Sequence, residues 1–382
     1  MKINGVIGEK SRIVFDVRMI NSSGIGTYIQ NFIPALINQF DLILIGKKSD
    51  LIKYNWYSPH IKHIESATKI YTVKEQLDYF FKIPKCDLFI SPHYNSPFLP
   101  IAAKKKMTFI PDVNHVVFRD DMNFFKRLYS NVMLNNAIKN SDLIVTISNF
   151  SYEEIKKFFH ISKNVFILPL GVDVTKYQTQ HSSIRINYIK TKYGLPDSYI
   201  LFVGNVKPHK NLKNLLLAVD MLYRQNKISQ KLIIVGKIQG FINPDSEIFH
   251  IVREKSHLSK NVIFTDFVVD EDLPDIYKGA SLFCFPSLYE GFGLPPLEAM
   301  ASGCPTLVSN RASLPEVCGN ASYYVNPLSI DNIASGIEDI LSNPQLRNSL
   351  TSKGYDNVEK FSWQTSSAKL IELIYTVLYS QN

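Results

Sequence analysis

The chain has 382 residues, which favours two domains of about 150 to 200 residues over a single core. Hydrophobic residues make up 45% of it, the mean hydropathy is −0.04, and no apolar run approaches the roughly 18 residues of a spanning helix, so we expect no transmembrane helix. The net charge of +8 lies entirely in residues 1–171, which contain 22 Lys and Arg against 14 Asp and Glu, while residues 172–382 contain 20 of each.

A basic first half predicts an anionic partner, such as a phospholipid surface, a lipid diphosphate or nucleic acid. A solvated basic surface fits the same counts equally well. Near the start, Glu9, Lys10 and Arg12 stand where a signal peptide has its apolar core, so export by a standard signal is not expected. The four cysteines lack C-x-x-C spacing and are interpreted as reduced, structural thiols.

Short apolar runs alternate with helical stretches from end to end, which indicates an α/β protein with parallel sheets. In the first half we predict six strands, at residues 12–17, 41–45, 87–91, 107–110, 142–147 and 165–168. In the second half we predict six more, at residues 199–203, 231–235, 262–265, 282–285, 306–309 and 323–325. Between the halves, residues 171–198 are polar and lose this alternation, which predicts a linker. Residues 366–379 have apolar residues at helical spacing, which predicts a final helix.

A pair of glycines follows the first predicted strand. Gly24 and Gly26 lie in the segment S-S-G-I-G-T-Y, but Ile29 stands at the third glycine position of G-x-G-x-x-G. A dinucleotide-binding fingerprint is therefore poorly supported. A loop that approaches a phosphate and a plain tight turn both remain open at this point.

A cationic segment follows the first strand of the second half. Residues 202–211 read F-V-G-N-V-K-P-H-K-N and lead into a helical pattern, and the cations near its start are Lys207, His209, Lys210 and Lys213. The helix dipole disfavours cations at a helix N-terminus unless an anion is bound there. The segment predicts an anion site, and a solvated surface cluster is the alternative.

The densest motif is P-S-L-Y-E-G-F-G-L-P-P-L-E-A-M-A-S-G at residues 286–303. It predicts a strand, a glycine loop and a helix, in which Gly291 and Gly293 let backbone amides approach a phosphate. Glu290 before the loop and Glu298, expected in the first helical turn, are candidates to accept hydrogen bonds from sugar and ribose hydroxyls. Alternatively, Glu298 only complements the helix dipole and Glu290 is a surface turn residue.

Together these motifs resemble the GT4 family of retaining glycosyltransferases, and the match covers nearly the whole chain. Its most specific element is the E-x7-E pattern from Glu290 to Glu298, followed by G-N-V-K-P-H-K-N-L at residues 204–212. F-D-V-R and S-G-I-G-T-Y near the start, L-G-V-D at residues 170–173 and S-L-P-E-V at residues 313–317 extend it.

The resemblance implies the GT-B fold, an α/β architecture in which two Rossmann-like domains face each other across a cleft. Residues 1–171 are then the acceptor-binding domain, residues 172–198 the linker and residues 199–363 the nucleotide-sugar-binding domain. Residues 364–382 are expected to form a helix that packs back on the first domain. Closure of the two domains about the linker is expected to expel water from the site.

The resemblance also implies roles for individual residues. Lys210 holds the donor diphosphate, Glu290 contacts hydroxyls of the donor sugar and Glu298 contacts ribose, while Lys210, Glu290 and Asp112 form the catalytic set. The donor-binding set is Gly24, Gly26, Gly204, Asn205, Lys207, Lys210, Glu290, Gly291, Phe292, Gly293, Leu294 and Glu298.

The sequence departs from the family pattern at two positions. Many relatives carry an arginine where Asn205 stands, and Lys207 or His209 is the candidate replacement for that cation. The H-D of a typical T-I-H-D segment is Pro111-Asp112 here, so the usual acceptor-side histidine is missing. Asp112 and His115 are the acceptor-side candidates in its place, and the alternative for His115 is a structural role.

The expected function is transfer of a sugar from a GDP- or UDP-sugar to a glycan or lipid-linked acceptor, in assembly of a bacterial surface polysaccharide or glycolipid. The resemblance implies a retaining front-face reaction with neither a metal nor a cofactor. The protein is expected in the cytoplasm with peripheral contact to the anionic inner face of the membrane, and no nucleic-acid partner is expected. The alternatives are a sugar-nucleotide epimerase and a catalytically weakened nucleotide-sugar-binding protein. A nicotinamide oxidoreductase is disfavoured by the incomplete glycine fingerprint.

Overall fold

The computed structural model describes residues 9–118, 124–161, 163–236 and 246–380. The chain divides into two compact units: unit 1 comprises Met1–Leu170 and Trp363–Asn382, and unit 2 comprises Gly171–Ser362. Each unit is built on one parallel β-sheet with intervening helices, which confirms the predicted α/β class with two Rossmann-like domains.

Unit 1 has a seven-stranded sheet in the order β3-β2-β1-β4-β5-β6-β7. Its strands are β1 (Arg12–Asp16), β2 (Asp41–Gly46), β3 (Lys62–Glu65), β4 (Cys86–Ser91), β5 (Ala103–Phe109), β6 (Leu143–Thr146) and β7 (Val165–Ile167). Its first six helices are α1 (Ser23–Ile37), α2 (Lys48–Leu51), α3 (Val73–Lys82), α4 (Asn114–Val117), α5 (Phe124–Asn140) and α6 (Asn149–Phe158). The strand order reverses between β1 and β4, so the ends of these two strands form the topological switch point of unit 1.

The prediction of six strands in this half was wrong, because β3 was missed. This strand reads K-H-I-E and pairs only with β2 at the edge of the sheet. An edge strand with half-exposed side chains needs no apolar run, so hydrophobic patterning does not reveal it.

Unit 2 has a six-stranded parallel sheet in the order β10-β9-β8-β11-β12-β13. Its strands are β8 (Tyr199–Val203), β9 (Lys231–Val235), β10 (Val262–Asp266), β11 (Leu282–Phe285), β12 (Thr306–Ser309) and β13 (Tyr323–Val325). Its helices are α7 (Val174–Gln178), α8 (Ser183–Tyr193), α9 (Leu212–Arg224), α10 (Ser246–Glu254), α11 (Ser256–Asn261), α12 (Leu273–Gly279), α13 (Leu294–Ala301), α14 (Leu314–Cys318), α15 (Ile330–Ser342) and α16 (Pro344–Val358). Here the strand order reverses between β8 and β11.

The segment predicted as a linker, residues 172–198, instead carries α7 and α8 and belongs to unit 2. The Ser182 hydroxyl caps α8, and Gly194 ends it with a left-handed φ of 64°. On α8, Arg185 forms ion pairs with Asp272 and Asp275 of unit 2. Because this helix docks largely through charged groups, its sequence lacks an apolar stripe and resembles a linker.

The last helix, α17 (Trp363–Tyr379), is part of unit 1 and packs on α1. The ring of Trp363 meets the ring of Phe32 edge-on at 5.7 Å, and the Ser366 hydroxyl donates to the carbonyl oxygen of Pro169 at 2.6 Å. All four cysteines are buried free thiols. In the part of the chain that the structure describes, no helix combines the length and apolar character that crossing a bilayer requires.

Candidate functional site

The switch point of unit 2 brings two motif loops together. The loop after β8 runs through a 3-10 turn, Pro208–Lys210, into α9, and the loop after β11 runs through residues 286–293 into α13. The Leu288 amide donates to the carbonyl oxygen of His209 at 2.8 Å, which ties the two loops together. In open parallel sheets, ligands bind beyond the carboxyl ends of the strands at such a switch point.

Asn211 fixes the relative position of these loops. It adopts a left-handed φ of 59°, and its side-chain amide donates to the carbonyl oxygens of Pro286 at 2.9 Å and Pro327 at 2.7 Å. The residue is 7% exposed. Sequence reasoning did not single out Asn211, although asparagine between a turn and a helix is a recognisable signal for this conformation.

Lys210 and Glu290 form an ion pair at the centre of this arrangement. The Lys210 Nζ lies 2.7 Å from Oε1 and 2.8 Å from Oε2 of Glu290, and the two side chains are 16% and 12% exposed. The same ammonium group lies 5.2 Å from the ring centroid of Phe285. The anion predicted for Lys210 is thus supplied by Glu290 in this structure, and both groups retain a solvent-accessible edge.

Ser313 anchors the glycine loop between Glu290 and α13. The Ser313 hydroxyl lies within hydrogen-bond distance of the carbonyl oxygens of Glu290 (2.9 Å) and Phe292 (2.6 Å). Gly293 has a φ of 117°, and a Cβ there would lie 2.8 Å from Leu314 Cδ2, so only glycine fits. The first amides of a helix have no partner inside it, and α13 begins at Leu294, directly after this loop. The loop and the helix start therefore form a surface suited to an anion.

Glu298 is the fifth residue of α13, not a first-turn residue as predicted. The helix-dipole explanation weakens accordingly, because that effect falls off within the first turn. The Tyr277 hydroxyl donates to Glu298 Oε2 at 2.8 Å, and the Tyr177 hydroxyl also donates to this carboxylate. Burial raises the pKa of Glu298, against the lowering effect of these two hydrogen bonds. The carboxylate is therefore oriented by two phenols, which the sequence did not reveal.

The segment after β8 is more crowded than the sequence suggested. A Cβ on Gly236, at the end of β9, would lie 2.0 Å from the carbonyl oxygen of Gly204, so the backbones touch here. Asn205 and Lys207 are half-buried in the same loop. Gly236 was not singled out, although a glycine directly after a strand is a signal for close backbone approach.

The predicted cation cluster divides in two. Burial, followed by the charges of Lys210 and Lys207, lowers the pKa of His209 to about 3, so this histidine is neutral at physiological pH. Lys213 forms an exposed ion pair with Glu247 of α10, at 2.6 Å. Lys207 and Lys210 are therefore the cations of this cluster that stay in the β8 loop.

In unit 1, Gly24 and Gly26 lie in the first turn of α1, not in a separate loop. A Cβ on Gly26 would lie 2.4 Å from the carbonyl oxygen of Ile20, whereas a Cβ on Gly24 would meet nothing within 4 Å. Close packing inside the chain accounts for Gly26. Only Gly24 leaves space for an outside group.

Asp112 and His115 lie beyond the end of β5. Asp112 precedes α4, and His115 lies within it. The carboxylate of Asp112 accepts a hydrogen bond from the Asn114 amide at 2.9 Å. His115 stacks on Tyr94 with a centroid separation of 4.5 Å, and burial lowers the pKa of His115 to about 4. Beside them, the ring centroids of His93 and Tyr94 lie 3.9 Å apart. His93 was missed, although it follows β4 at the switch point of unit 1.

The same edge of unit 1 contains a buried charge network, which sequence reasoning also missed. Arg18 Nη2 lies 2.6 Å from Asp16 Oδ2 and 2.7 Å from Glu75 Oε1, and the three side chains are 4%, 6% and 1% exposed. The Tyr79 hydroxyl donates to Asp16 Oδ2 at 2.6 Å. Asp16 and Arg18 belong to the F-D-V-R motif. Arg18 therefore joins this motif to Glu75 of α3, which lies 57 residues later in the chain.

Within residues 9–118, 124–161, 163–236 and 246–380, no three or more His, Cys, Asp or Glu side chains are grouped so that they could hold a metal ion.

Part of unit 2 is similar to a known protein family. Residues 188–357 match the model of the family Glycosyl transferases group 1. The chain is 33% identical over 275 residues to the serotype-specific mannosyltransferase WbdA of Escherichia coli, a match that covers 71% of this chain and 33% of WbdA. It is 31% identical over 244 residues to the O-antigen chain mannosyltransferase B of Escherichia coli, covering 64% of this chain and 63% of the relative. The matched parts thus span less than two thirds of either relative.

Among solved structures, Anabaena HepE in complex with UDP-glucose superposes with a TM-score of 0.75 at 15% identity, covering 96% of this chain and all of HepE. At this identity the likeness concerns the fold, and it agrees with the GT-B architecture expected from the sequence.

Proposed function

Because residues 188–357 match the family Glycosyl transferases group 1, we propose that the chain transfers a sugar from a nucleotide-sugar donor to a glycan or lipid-linked acceptor. The setting we propose is assembly of a bacterial surface polysaccharide, since the relatives are named as O-antigen or serotype-specific mannosyltransferases. The observation that carries the proposal is the Lys210–Glu290 pair, which lies beside the start of α13 inside the segment that matches the family.

The donor diphosphate is proposed to bind at the switch point of unit 2. Lys210 provides the cation, and the backbone of Phe292, Gly293 and Leu294 provides amides at the start of α13. As the bond to the sugar breaks, negative charge grows on the leaving phosphate, and fixed positive groups at that position lower the barrier. When phosphate engages Lys210, the Glu290 carboxylate becomes available to accept hydrogen bonds from sugar hydroxyls.

At the other end of the donor, Glu298 is proposed to bind ribose. Tyr277 and Tyr177 hold its carboxylate in a fixed direction, so little rotamer entropy is lost when ribose hydroxyls donate to it. Gly204, Asn205, Lys207 and Gly291 complete the proposed donor site in the two loops.

A GDP- or UDP-hexose is the proposed donor. HepE has been solved with UDP-glucose, and the relatives named above are mannosyltransferases, so a hexosyl donor fits both comparisons. No further cofactor is proposed.

We further propose that transfer retains the anomeric configuration and needs no metal ion. The charge-balancing task is assigned to Lys210 and the helix start, both of which are fixed parts of the protein. Activity in excess EDTA tests this assignment. Full activity supports it, and loss that magnesium or manganese restores contradicts it.

Unit 1 is proposed to bind the acceptor. Asp112 and His115 stand in for the acceptor-side histidine that Pro111 replaces. Asp112 is the proposed catalytic residue on this side, in a cytoplasmic enzyme with peripheral contact to the inner face of the membrane.

The proposal is tested with a panel of GDP-, UDP-, TDP- and ADP-sugars. Thermal stabilisation identifies the donor, since a ligand at one hundred times its dissociation constant adds about 2.7 kcal/mol of stability. Product analysis with a glycan or lipid-linked acceptor then follows the sugar. A new glycosidic product supports transfer, whereas an isomerised or hydrolysed nucleotide sugar without such a product contradicts it.

A further inference from the structure

Helix α3 of unit 1 presents a stripe of apolar side chains to solvent. Val73, Leu77, Phe80 and Phe81 are 77%, 45%, 49% and 77% exposed. They stand at positions i, i+4, i+7 and i+8, so they share one face of the helix. Single exposed apolar residues are ordinary, but four on one face imply that something covers that face.

Helix α5 repeats this arrangement. Phe124, Phe125, Leu128 and Val132 are 65%, 79%, 52% and 44% exposed, and three of them follow i, i+4, i+8 spacing. The buried face of the same helix contributes Leu134 to the core of unit 1, so α5 does not lack packing partners.

The two stripes flank one loop. The Phe98 amide donates to Gln76 Oε1 on α3 at 2.7 Å, and on α5 the Asn136 side-chain amide donates to the Pro97 carbonyl oxygen at 3.2 Å. Asn95 bridges the helices as well, since its side chain donates to Glu75 and accepts from the Tyr129 hydroxyl.

Phe98 itself is 54% exposed between the helices. Leu77 follows Gln76, and Leu128 precedes Tyr129. Each leucine therefore lies about 100° around its helix axis from a side chain that binds residues 95–98. Because both helices bind residues 95–98, we group the eight helical side chains with Phe98 as the α3–α5 apolar surface. Nine large side chains at these exposures amount to several hundred Å², roughly the largest patch that a typical monomer exposes.

The two helices that carry this surface have a positive net charge. Helix α5 contains Lys126, Arg127 and Lys139 and no acidic residue. Helix α3 contains two acids, but Glu75 is buried against Arg18, and the half-buried Asp78 pairs with Lys82.

Building on the peripheral membrane contact in the proposed function, we propose that the α3–α5 apolar surface is the part of unit 1 that docks on an anionic membrane surface. Aromatic side chains enter the boundary between headgroups and acyl chains, while neighbouring Lys and Arg attract anionic headgroups. A second copy of the chain is a poorer occupant, because two like-charged surfaces repel each other.

The test measures sedimentation of the full chain with vesicles of pure phosphatidylcholine, or of phosphatidylcholine with about one quarter anionic phosphatidylglycerol. The double variant Phe81→Ser, Phe125→Ser is expected to bind the anionic vesicles at least tenfold more weakly than the unmodified chain. Ile184→Ser is the matched control: it removes an apolar side chain that is 81% exposed on α8 of unit 2, outside the surface, and should leave binding unchanged.

Reversal of charge provides a second readout. The double variant Lys126→Glu, Arg127→Glu should lose the preference for anionic vesicles, and added salt should weaken binding of the unmodified chain. Tryptophan fluorescence reports whether unit 1 stays folded, because Trp56 and Trp363 both lie in it.

Equal binding to neutral and anionic vesicles overturns the proposal, as does unchanged binding by the folded Phe81 and Phe125 double variant. A dimer in analytical ultracentrifugation that this variant abolishes, without vesicle binding by the unmodified chain, also overturns it and assigns the surface to self-association. Vesicle binding requires neither donor nor acceptor, so its failure leaves the proposed transfer reaction untouched.

Discussion

The two switch points of this protein have the same topology, but their ion pairs differ in exposure to solvent. In unit 1, Arg18 pairs with Asp16 and Glu75 in a network whose three side chains are each at most 6% exposed. In unit 2, Lys210 pairs with Glu290, and both side chains keep more than a tenth of their surface in solvent.

This difference separates a pair that holds the fold from one that is able to exchange partners. Breaking a buried ion pair strands a charge in the interior, whereas a pair with a solvent edge can admit a phosphate in place of the carboxylate. Both networks join residues far apart in the chain, so spacing in sequence does not distinguish them.

The largest expected effect is on unit 1. Arg18→Ala should lower its free energy of unfolding by about 3–5 kcal/mol, because Asp16 and Glu75 are left as buried charges without a cation. Urea unfolding followed by fluorescence of Trp56 and Trp363 measures unit 1 selectively. Arg12→Ala is the control, since the Arg12–Asp41 pair is exposed and should contribute little. Equal effects of the two substitutions would contradict the contrast between the switch points.

The next effect is on binding in unit 2. Lys210→Ala should weaken nucleoside diphosphate binding about tenfold to a hundredfold, because a charge-assisted hydrogen bond contributes roughly 1.5–3 kcal/mol. The thermal unfolding transition, followed by circular dichroism, should not move. Isothermal titration calorimetry gives the affinity, with Lys213→Ala as the matched control because this lysine faces Glu247. Unchanged affinity in the Lys210 variant would show that Lys210 does not bind the phosphate.

The two glutamates sharpen the contrast within unit 2. Glu290→Gln should lower turnover with the intact donor and spare affinity for the free diphosphate, because its proposed partner is the sugar. Glu298→Gln should weaken binding of the free nucleoside diphosphate by up to about tenfold, because the proposed partner of Glu298 is ribose. Initial rates and titrations of both variants provide the comparison.

Glu359→Gln, at an exposed acid that ends α16, serves as the control for the glutamate pair. If Glu290→Gln and Glu298→Gln both behave like this control, the donor-site assignment fails.

The smallest expected effect is a pH dependence of stability. Burial raises the folded-state pKa of Glu298 above its ordinary value of 4.5, so its contribution is fully present below pH 4.5 and is lost as pH rises through the raised pKa. Glu298→Gln should therefore gain stability relative to the unmodified chain between pH 4.5 and 7 in thermal unfolding followed by circular dichroism. A constant difference across that range would show that the carboxylate is as well solvated folded as unfolded.

Much of the fold was predictable from the sequence, because the strands of a buried parallel sheet are apolar along their whole length. Strands β8, β9, β11, β12 and β13 have the predicted bounds. The failures have local causes. Strand β3 lies at an edge, β5 begins earlier than predicted in the run Lys104–Lys106, and α8 docks through ion pairs. None of these needs an apolar run.

The motif loops were predictable as well, since glycine, proline and helix-start signals are local. The prediction that Glu298 lies in the first helical turn was wrong by one turn, because α13 begins only after Gly293. The start of this helix depends on tertiary contacts, because the Ser313 hydrogen bonds hold Glu290 and Phe292 in the preceding loop.

The sequence by itself determined the alternation of strands and helices, the concentration of basic charge in residues 1–171 and the residues that belong to the motif loops. The tertiary structure decided which of them meet. Lys210 reaches Glu290 across 80 residues, Asn211 reaches Pro327 across 116, and Arg18 reaches Glu75 across 57. Local periodicity specifies a segment and the face that it buries, but the strand order of the sheet decides which segments become neighbours. That order emerges only when the whole sheet is assembled.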